Sequence, residues 1–176
     1  VAFVLSKVKN DENMIKIGNF THAVNFGLHD YRKVCVHLRG HNTNHLYRFE
    51  LTAGSNVIER AVDYSKKVLM KSLTNNVDSF DEKLVQSYMA EKEKIMIHTG
   101  SMKILDRFKE VYNLKNEQIQ ESYDTLKEFG NLTGCSIPTV MNKAFMEKNN
   151  GNGKGLLIGI TMGFGLDVVE VERVDN

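Results

Sequence analysis

Several features that would identify particular classes of protein are scarce or absent in this chain. Its 23 basic and 22 acidic residues leave a net charge of +1, which gives no reason to expect nucleic acid or an acidic membrane surface as a partner. No apolar run approaches the roughly 20 residues needed to cross a bilayer, and no signal peptide is recognisable. With 176 residues, 41% of them hydrophobic, we expect a soluble, cytoplasmic protein that forms one domain or one half of a larger symmetric fold.

Cysteine and proline are scarce as well. The two cysteines, Cys35 and Cys135, fit a reducing compartment better than a disulfide scaffold, and we predict that both are buried as small hydrophobic residues. The single proline, Pro138, lies with Asn131 in "GNLTGCSIPTV" (130–140). Such a segment suits either a plain linker or an active-site turn, in which small residues let the backbone come close to a ligand.

Hydrophobic periodicity predicts an α/β domain, because strands precede a series of helices and further strands follow them. Ser55 and Ser101 are predicted N-caps, and Gly130 is predicted to end a helix. The "GNGKG" segment (151–155) is interpreted as a hairpin turn, since it lacks the Ser or Thr of a phosphate-binding loop. The predicted strands are 1–8, 14–24, 31–40, 46–52, 95–97, 156–163 and 166–174, and the predicted helices are 53–73, 81–94, 101–112, 116–130 and 136–148.

Two polar residues are candidates for a functional site. His98 directly follows a predicted buried strand and precedes a glycine and a helix N-cap, which is where α/β proteins often build sites. The position is equally consistent with a surface histidine that ends a strand and has no function. Asn131 follows the helix-ending Gly130, and its side chain would either reach a ligand or satisfy loose backbone groups.

The other histidines and Cys135 are weaker candidates for a metal site or a nucleophile. His37, His41 and His45 recur every fourth residue, but the first lies in a predicted strand and the others in a predicted loop. No metal site is therefore predicted. Cys135 is not predicted to be a nucleophile, because the sequence offers no local base to activate its thiol.

Four segments together resemble the second half of the thiolase-fold condensing enzymes. They are "FELTAGSNVIERAV" (49–62), "IHTGSMKILDRF" (97–108), "EFGNLTGCSIP" (128–138) and "GFGLDVVEVERV" (163–174). The His98 segment and the terminal "GFG" look like the chalcone-synthase-like type III polyketide synthases. The Asn131 segment looks more like β-ketoacyl-(acyl carrier protein) synthase III, so both branches stay open.

The resemblance implies the C-terminal half of a thiolase-like αβαβα fold, with a mixed sheet covered by helices. Residues 1–46 would complete the first half-fold and its connecting strands, and residues 47–176 would form the half that carries His98 and Asn131. The nucleophilic cysteine of such enzymes lies upstream of anything in this chain, and neither Cys35 nor Cys135 matches its position. Since the chain also opens without Met on the apolar run "VAFVLSK", we expect a further N-terminal half or partner chain, and a homo- or heterodimer.

The resemblance also implies an activity, the decarboxylative Claisen condensation of an acyl thioester with a malonyl thioester. His98 and Asn131 would be the catalytic hydrogen-bond donors, and no metal or cofactor would be needed besides the thioesters of CoA or acyl carrier protein. The sequence departs from many synthase III members at Gly100, and at Lys103, where arginine is usual. The other residues implied are Ser101, Gly163, Phe164 and Gly165 for substrate binding, and Lys103 and Arg107 for docking CoA or the carrier.

Two alternatives remain open. A non-catalytic partner subunit would keep the fold and use the pocket only for binding, although such a chain would have no need of His98 and Asn131. An acyltransferase of this fold that transfers to oxygen or nitrogen would act without decarboxylation.

Overall fold

The computed structural model describes residues 14–24, 35–40, 47–52, 57–75, 80–147, 153–161 and 165–174. They form an α/β structure, as predicted. Its strands are β1 Met14–Val24, β2 Cys35–Gly40, β3 Tyr47–Thr52, β4 Lys94–Ile97, β5 Gly153–Thr161 and β6 Gly165–Val174. Its helices are α1 Val57–Thr74, α2 Glu82–Ala90, α3 Met102–Tyr112, α4 Asn116–Phe129 and α5 Ser136–Asn142, with a 3₁₀ turn at Thr133–Cys135 and a π-helical turn at Lys143–Glu147. None of the helices in these ranges is long and apolar enough to cross a membrane.

Four of the strands form one mixed sheet in the order β1-β6-β5-β4, and β2 pairs with β3 in a separate antiparallel pair. The pairing of β4 with β5 is parallel, whereas β6 is antiparallel to both of its neighbours. Strand β1, from the segment that precedes residue 47, thus lies in the same sheet as the C-terminal strands. The predicted boundary between 1–46 and 47–176 stays a prediction.

Alternate residues of the strands belong to two hydrophobic clusters, one on each face of the sheet. Ile95 and Ile97 of β4 belong to the larger cluster, whereas Met96 between them belongs to the smaller one. Helices α1 to α4 supply most of the helical residues of the larger cluster, and α5 with its π-helical turn supplies Val140, Ala144 and Phe145 to the smaller. Helices therefore cover both faces of the sheet.

Strand β4 ends the described sheet, and α4 covers its outer side with polar side chains. The Ser122 hydroxyl accepts a hydrogen bond from the backbone N–H of Ile97 at 2.9 Å, and the Gln118 amide donates to the Lys92 carbonyl at 2.7 Å. Lys94 forms an ion pair with the buried Glu121 at 2.7 Å. A strand edge needs such partners because unpaired backbone groups are costly once they are buried. Helix α4 thus fixes where β4 ends.

Two sequence-based predictions about glycine and turns differ in outcome. Gly130 ends α4, as predicted. The hairpin turn predicted at 151–155 is wrong at residues 153–155, which already belong to β5, and the described element before them is helical. Residues 151 and 152 lie outside the described residues. A Cβ added at Gly155 would lie 2.7 Å from Met96 Cε and 2.8 Å from Phe145 Cζ. This glycine is needed for close packing of the strand, not for a turn. The predicted strand 1–8 and the Ser55 cap lie outside the described residues.

The cover of β4 by α4 can be tested at Ser122. Replacing it with alanine leaves the buried N–H of Ile97 without a partner, which costs about 1–3 kcal/mol. We expect the free energy of unfolding of Ser122→Ala, measured by urea denaturation, to fall by that amount. Gln120→Ala, an exposed change on the same helix, serves as the control and should stay within about 0.5 kcal/mol of wild type. Equal stabilities for the two variants would contradict the proposed cover.

Candidate active site

His98 lies at the carboxyl end of β4, between the sheet and the start of α3. Its backbone N–H donates to the Ile158 carbonyl of β5 at 2.9 Å, and its own carbonyl accepts from Gly100 N–H at 2.8 Å. Three residues after His98, the Ser101 hydroxyl caps α3 by accepting from Ile104 N–H at 3.3 Å. His98 is therefore held on a rigid strand, and the predicted N-cap is confirmed.

Gly100 packs beside the His98 side chain. A Cβ added at Gly100 would lie 3.4 Å from His98 Cδ2, which is ordinary van der Waals contact, and 2.9 Å from Ile104 Cδ1. A larger residue would therefore shift the end of the Ile104 side chain. The structure gives no packing reason for the departure from synthase III at this position.

Burial keeps the imidazole of His98 uncharged. The side chain is partly buried, and this desolvation lowers the pKa of His98 below its ordinary value of about 6.5. At neutral pH the ring is therefore neutral, with one N–H donor and one acceptor nitrogen. A neutral imidazole can donate a hydrogen bond to an oxygen without giving up its proton.

Asn131 lies in the turn after α4. The helix ends at Gly130, whose φ of 73° favours glycine, and Asn131 itself is exposed. Its Oδ1 accepts a hydrogen bond from the backbone N–H of Thr133 at 2.9 Å. This bond identifies the other terminal atom as the NH₂ group, which has two N–H donors. Asn131 thus shapes its own turn, as one of the two interpretations of the sequence predicted, and its NH₂ group carries two donors.

Thr99 brings the two candidate segments together. This residue follows His98 directly and is fully buried, and its hydroxyl lies 3.3 Å from the carbonyl oxygen of Gly130, the residue before Asn131. The same hydroxyl lies 2.9 Å from the hydroxyl of Ser136, which is also fully buried. His98 and Asn131 therefore lie on adjoining segments. Sequence reasoning missed Thr99 and Ser136, because a single hydroxyl residue has no periodic pattern that would reveal its partner.

The remaining predicted site residues have different surroundings. Gly165 is buried at the first position of β6, whereas Gly163 and Phe164 lie outside the described residues. Lys103 is exposed in the first turn of α3. Whether these residues bind substrate stays a prediction.

Arg107 already has carboxylate partners. Its guanidinium binds Glu59 of α1 through Nε at 2.9 Å and Nη2 at 3.0 Å, and it binds Glu110 at 2.8 Å. Hydrogen bonds to Glu59 and then to Glu110 raise the pKa of Arg107 above its ordinary value. This ion pair links α3 to α1, and a docking role for Arg107 would have to compete with it.

The prediction that Cys135 is buried is wrong. Its thiol is free and exposed in the 3₁₀ turn that precedes α5. Burial begins one residue later, at Ser136, where the chain enters α5 against the sheet. The side chain of Cys35 lies outside the described residues.

A family model described as chalcone and stilbene synthases, C-terminal domain, matches residues 52–174. The match includes His98, Asn131 and the buried Thr99. Of the two branches that the sequence left open, it selects the chalcone-synthase-like one.

Solved structures of two type III polyketide synthases and of CsyB have the same fold as this chain. A fungal type III polyketide synthase, ORAS, superposes with a TM-score of 0.68 at 14% identity over 90% of this chain. The 1,3,6,8-tetrahydroxynaphthalene synthase of Streptomyces coelicolor A3(2) gives 0.67 at 13% identity over 93%. CsyB in complex with CoA-SH gives 0.64 at 17% identity over 90%.

These superpositions confirm the thiolase-like fold and its C-terminal part. The chain spans only 41%, 42% and 40% of the length of those three structures, respectively. The region matched by the family model covers all of the described helices and the strands β4, β5 and β6. The chain therefore belongs to the chalcone and stilbene synthase family, of which it carries the C-terminal domain.

Proposed function

We propose that this chain is the C-terminal half of a polyketide-forming condensing enzyme, which joins an acyl thioester to a malonyl thioester by decarboxylative Claisen condensation. The observation that carries the proposal is the junction at the end of β4. There a neutral, partly buried His98 and the turn of Asn131 adjoin through Thr99. Two neutral hydrogen-bond donors on adjoining segments suit an oxygen that becomes negatively charged during the reaction.

The reaction begins in the other half of the fold, where a cysteine takes the acyl group from its thioester. The malonyl thioester then loses CO₂, and the electron pair of the broken C–C bond moves to the thioester carbonyl, which becomes an enolate oxygen. An imidazole N–H of His98 and an amide N–H of Asn131 donate to this oxygen. The enolate carbon attacks the acyl-cysteine carbonyl, and the cysteine thiolate leaves.

CoA thioesters are the substrates that we favour over carrier-bound ones. CsyB, one of the structurally similar proteins, has been solved with CoA-SH. Lys103 is exposed on the first turn of α3, two residues after the Ser101 cap, and has the charge to meet a CoA phosphate. Arg107 is the weaker candidate, since Glu59 and Glu110 already bind its guanidinium. Gly163, Phe164 and Gly165 would line the substrate pocket.

The rest of the enzyme would come from an N-terminal half that carries the nucleophilic cysteine, and the complete enzyme would be a dimer. The fraction of the type III polyketide synthases that this chain spans supports a missing half. The partner-subunit and oxygen- or nitrogen-acyltransferase alternatives are outcomes of the experiments below, because neither requires malonyl decarboxylation.

Replacing His98 with alanine should abolish most condensation while leaving the cysteine able to accept an acyl group. Loss of one oxyanion donor typically costs about 10²–10³ in rate. The measurement is the condensation product formed per acylated enzyme, with the melting temperature as the folding control. His98→Gln keeps a donor of similar reach and should recover part of the rate. Near wild-type turnover in His98→Ala would leave the non-catalytic subunit as the better interpretation.

Two variants of Asn131, to aspartate and to alanine, distinguish its role in shaping the turn from its role as a hydrogen-bond donor. Aspartate keeps the oxygen that accepts from Thr133 N–H at 2.9 Å but has no N–H to donate. We expect Asn131→Asp to fold like wild type and to lose malonyl decarboxylation by about 10²-fold or more. Self-acylation of the cysteine should be much less affected. If Asn131→Asp decarboxylates normally and only Asn131→Ala is impaired, the residue serves the turn alone.

The lowered pKa of His98 predicts a pH dependence of stability. Between that lowered value and about 6.5, the unfolded chain binds more protons than the folded chain. The free energy of unfolding therefore falls as the pH decreases through this window, and His98 makes no such contribution above it. We expect His98→Gln to lose less stability than wild type on acidification from about pH 7.5 to about pH 5.5, as measured by urea denaturation. Parallel curves for the two proteins would contradict a buried neutral histidine.

A further inference from the structure

We propose that Thr99 is a positioning residue for the condensation, because its hydroxyl sets the spacing between His98 and Asn131. The inference rests on the proposed function, since it assigns those two residues as the donors whose spacing matters. Thr99 touches neither the substrate nor the reacting atoms in this scheme. It acts through Gly130 and Ser136.

The proton positions follow from the types of oxygen present. A carbonyl oxygen only accepts, so the Thr99 hydroxyl donates to the Gly130 carbonyl at 3.3 Å. The same hydroxyl also donates toward Ser136 Oγ at 2.9 Å, so its one proton is shared between these two acceptors. Both hydroxyl side chains are fully buried, where a polar group without a partner is costly. Burial therefore holds the Thr99 hydroxyl against Gly130 and Ser136.

The two sides of the junction differ in how they are held. On the His98 side, two hydrogen bonds fix the end of β4. Ile97 N–H donates to the Ser122 hydroxyl and His98 N–H donates to the Ile158 carbonyl, both at 2.9 Å. On the Asn131 side, the exposed turn has local hydrogen bonds, from Thr133 N–H to Asn131 Oδ1 and from Cys135 N–H to the Leu132 carbonyl. Local hydrogen bonds shape a turn but do not fix its position relative to a strand. The hydrogen bond from Thr99 to Gly130 fixes that position, because Thr99 follows His98 and Gly130 precedes Asn131.

Spacing matters because donors to one developing oxyanion must each approach within about 2.7–3.1 Å of it. A misplacement of about 1 Å can cost on the order of 10²-fold in rate. Loss of the Thr99 hydroxyl should therefore act on the decarboxylation step. It should leave self-acylation, which depends on the cysteine of the other half, nearly unchanged.

The test uses the complete enzyme, with its cysteine-bearing half, and malonyl-CoA as the probe. Thr99→Val has nearly the same shape without the hydroxyl, and Thr99→Ser keeps the hydroxyl as the conservative control. We expect Thr99→Val to lower kcat for condensation about 10- to 100-fold, with KM and the self-acylation rate within about twofold of wild type. Thr99→Ser should restore most of kcat, a rescue that a role in packing the methyl group would not produce.

A double-mutant comparison adds a second readout. In the Asn131→Asp background the donor is already absent, so Thr99→Val should cause little further loss. Wild-type kcat in Thr99→Val would overturn the inference, as would equal losses of condensation and self-acylation. If Thr99→Val does not fold, Ser136→Ala removes one of the two bonds and should give the same selective, smaller loss. Wild-type kcat in that variant would then overturn it.

The inference and the proposed function can fail separately. If His98→Ala and Asn131→Asp condense normally, the proposed function is wrong and the inference falls with it. If those variants are impaired but Thr99→Val condenses like wild type, only the inference is wrong.

Discussion

The hydrogen bonds on both sides of the end of β4 are the interaction on which the candidate site depends. Ile97 N–H binds Ser122 of α4, and His98 N–H, one residue later, binds Ile158 of β5. Successive backbone N–H groups of a strand point in opposite directions, so one end of β4 is held by a helix on one side and by the sheet on the other. This leaves His98 with little freedom other than rotation of its side chain. A site built on such a strand end can hold a donor more accurately than a loop can.

The same requirement explains why α4 carries so many buried polar groups. Gln118, Glu121 and Ser122 are buried in α4 and all bind β4 or the residues just before it. Buried ion pairs such as Lys94 with Glu121 contribute little net stability, but they are expensive to break, so they favour one register over others. One turn farther along α4, Thr125 has a buried hydroxyl without a hydrogen-bond partner among the described residues. The polar cover of β4 is thus made by Gln118, Glu121 and Ser122, and Thr125 takes no part in it.

Local patterns in the sequence predicted the elements of the fold and the positions of His98 and Asn131. A short apolar run that stops at a histidine, and a helix that ends at glycine, are signals contained in a few consecutive residues. The errors came from tertiary contacts. Gly155 resembles a turn residue in sequence, but it is a strand residue that Met96 and Phe145 approach too closely for a side chain. The average behaviour of cysteine predicts that Cys135 is buried, but its turn lies at the surface and the thiol is exposed. The pairing of Thr99 with Ser136 joins residues 37 positions apart, so no local pattern could have indicated it.

The chemistry of the candidate site depends on which side chains lie near the end of β4. In the proposed enzyme the neutral imidazole of His98 and the amide of Asn131 serve as hydrogen-bond donors, and an amide is a poor nucleophile. Cys135 is exposed in a turn near the site and has no neighbouring base in the sequence to activate it. In the proposed enzyme, the group that forms the covalent bond and the groups that stabilise the enolate therefore belong to different halves of the fold. Each half can then position its own groups by its own packing. On the side of this chain, the hydrogen bond from Thr99 to the Gly130 carbonyl joins the segment of His98 to that of Asn131.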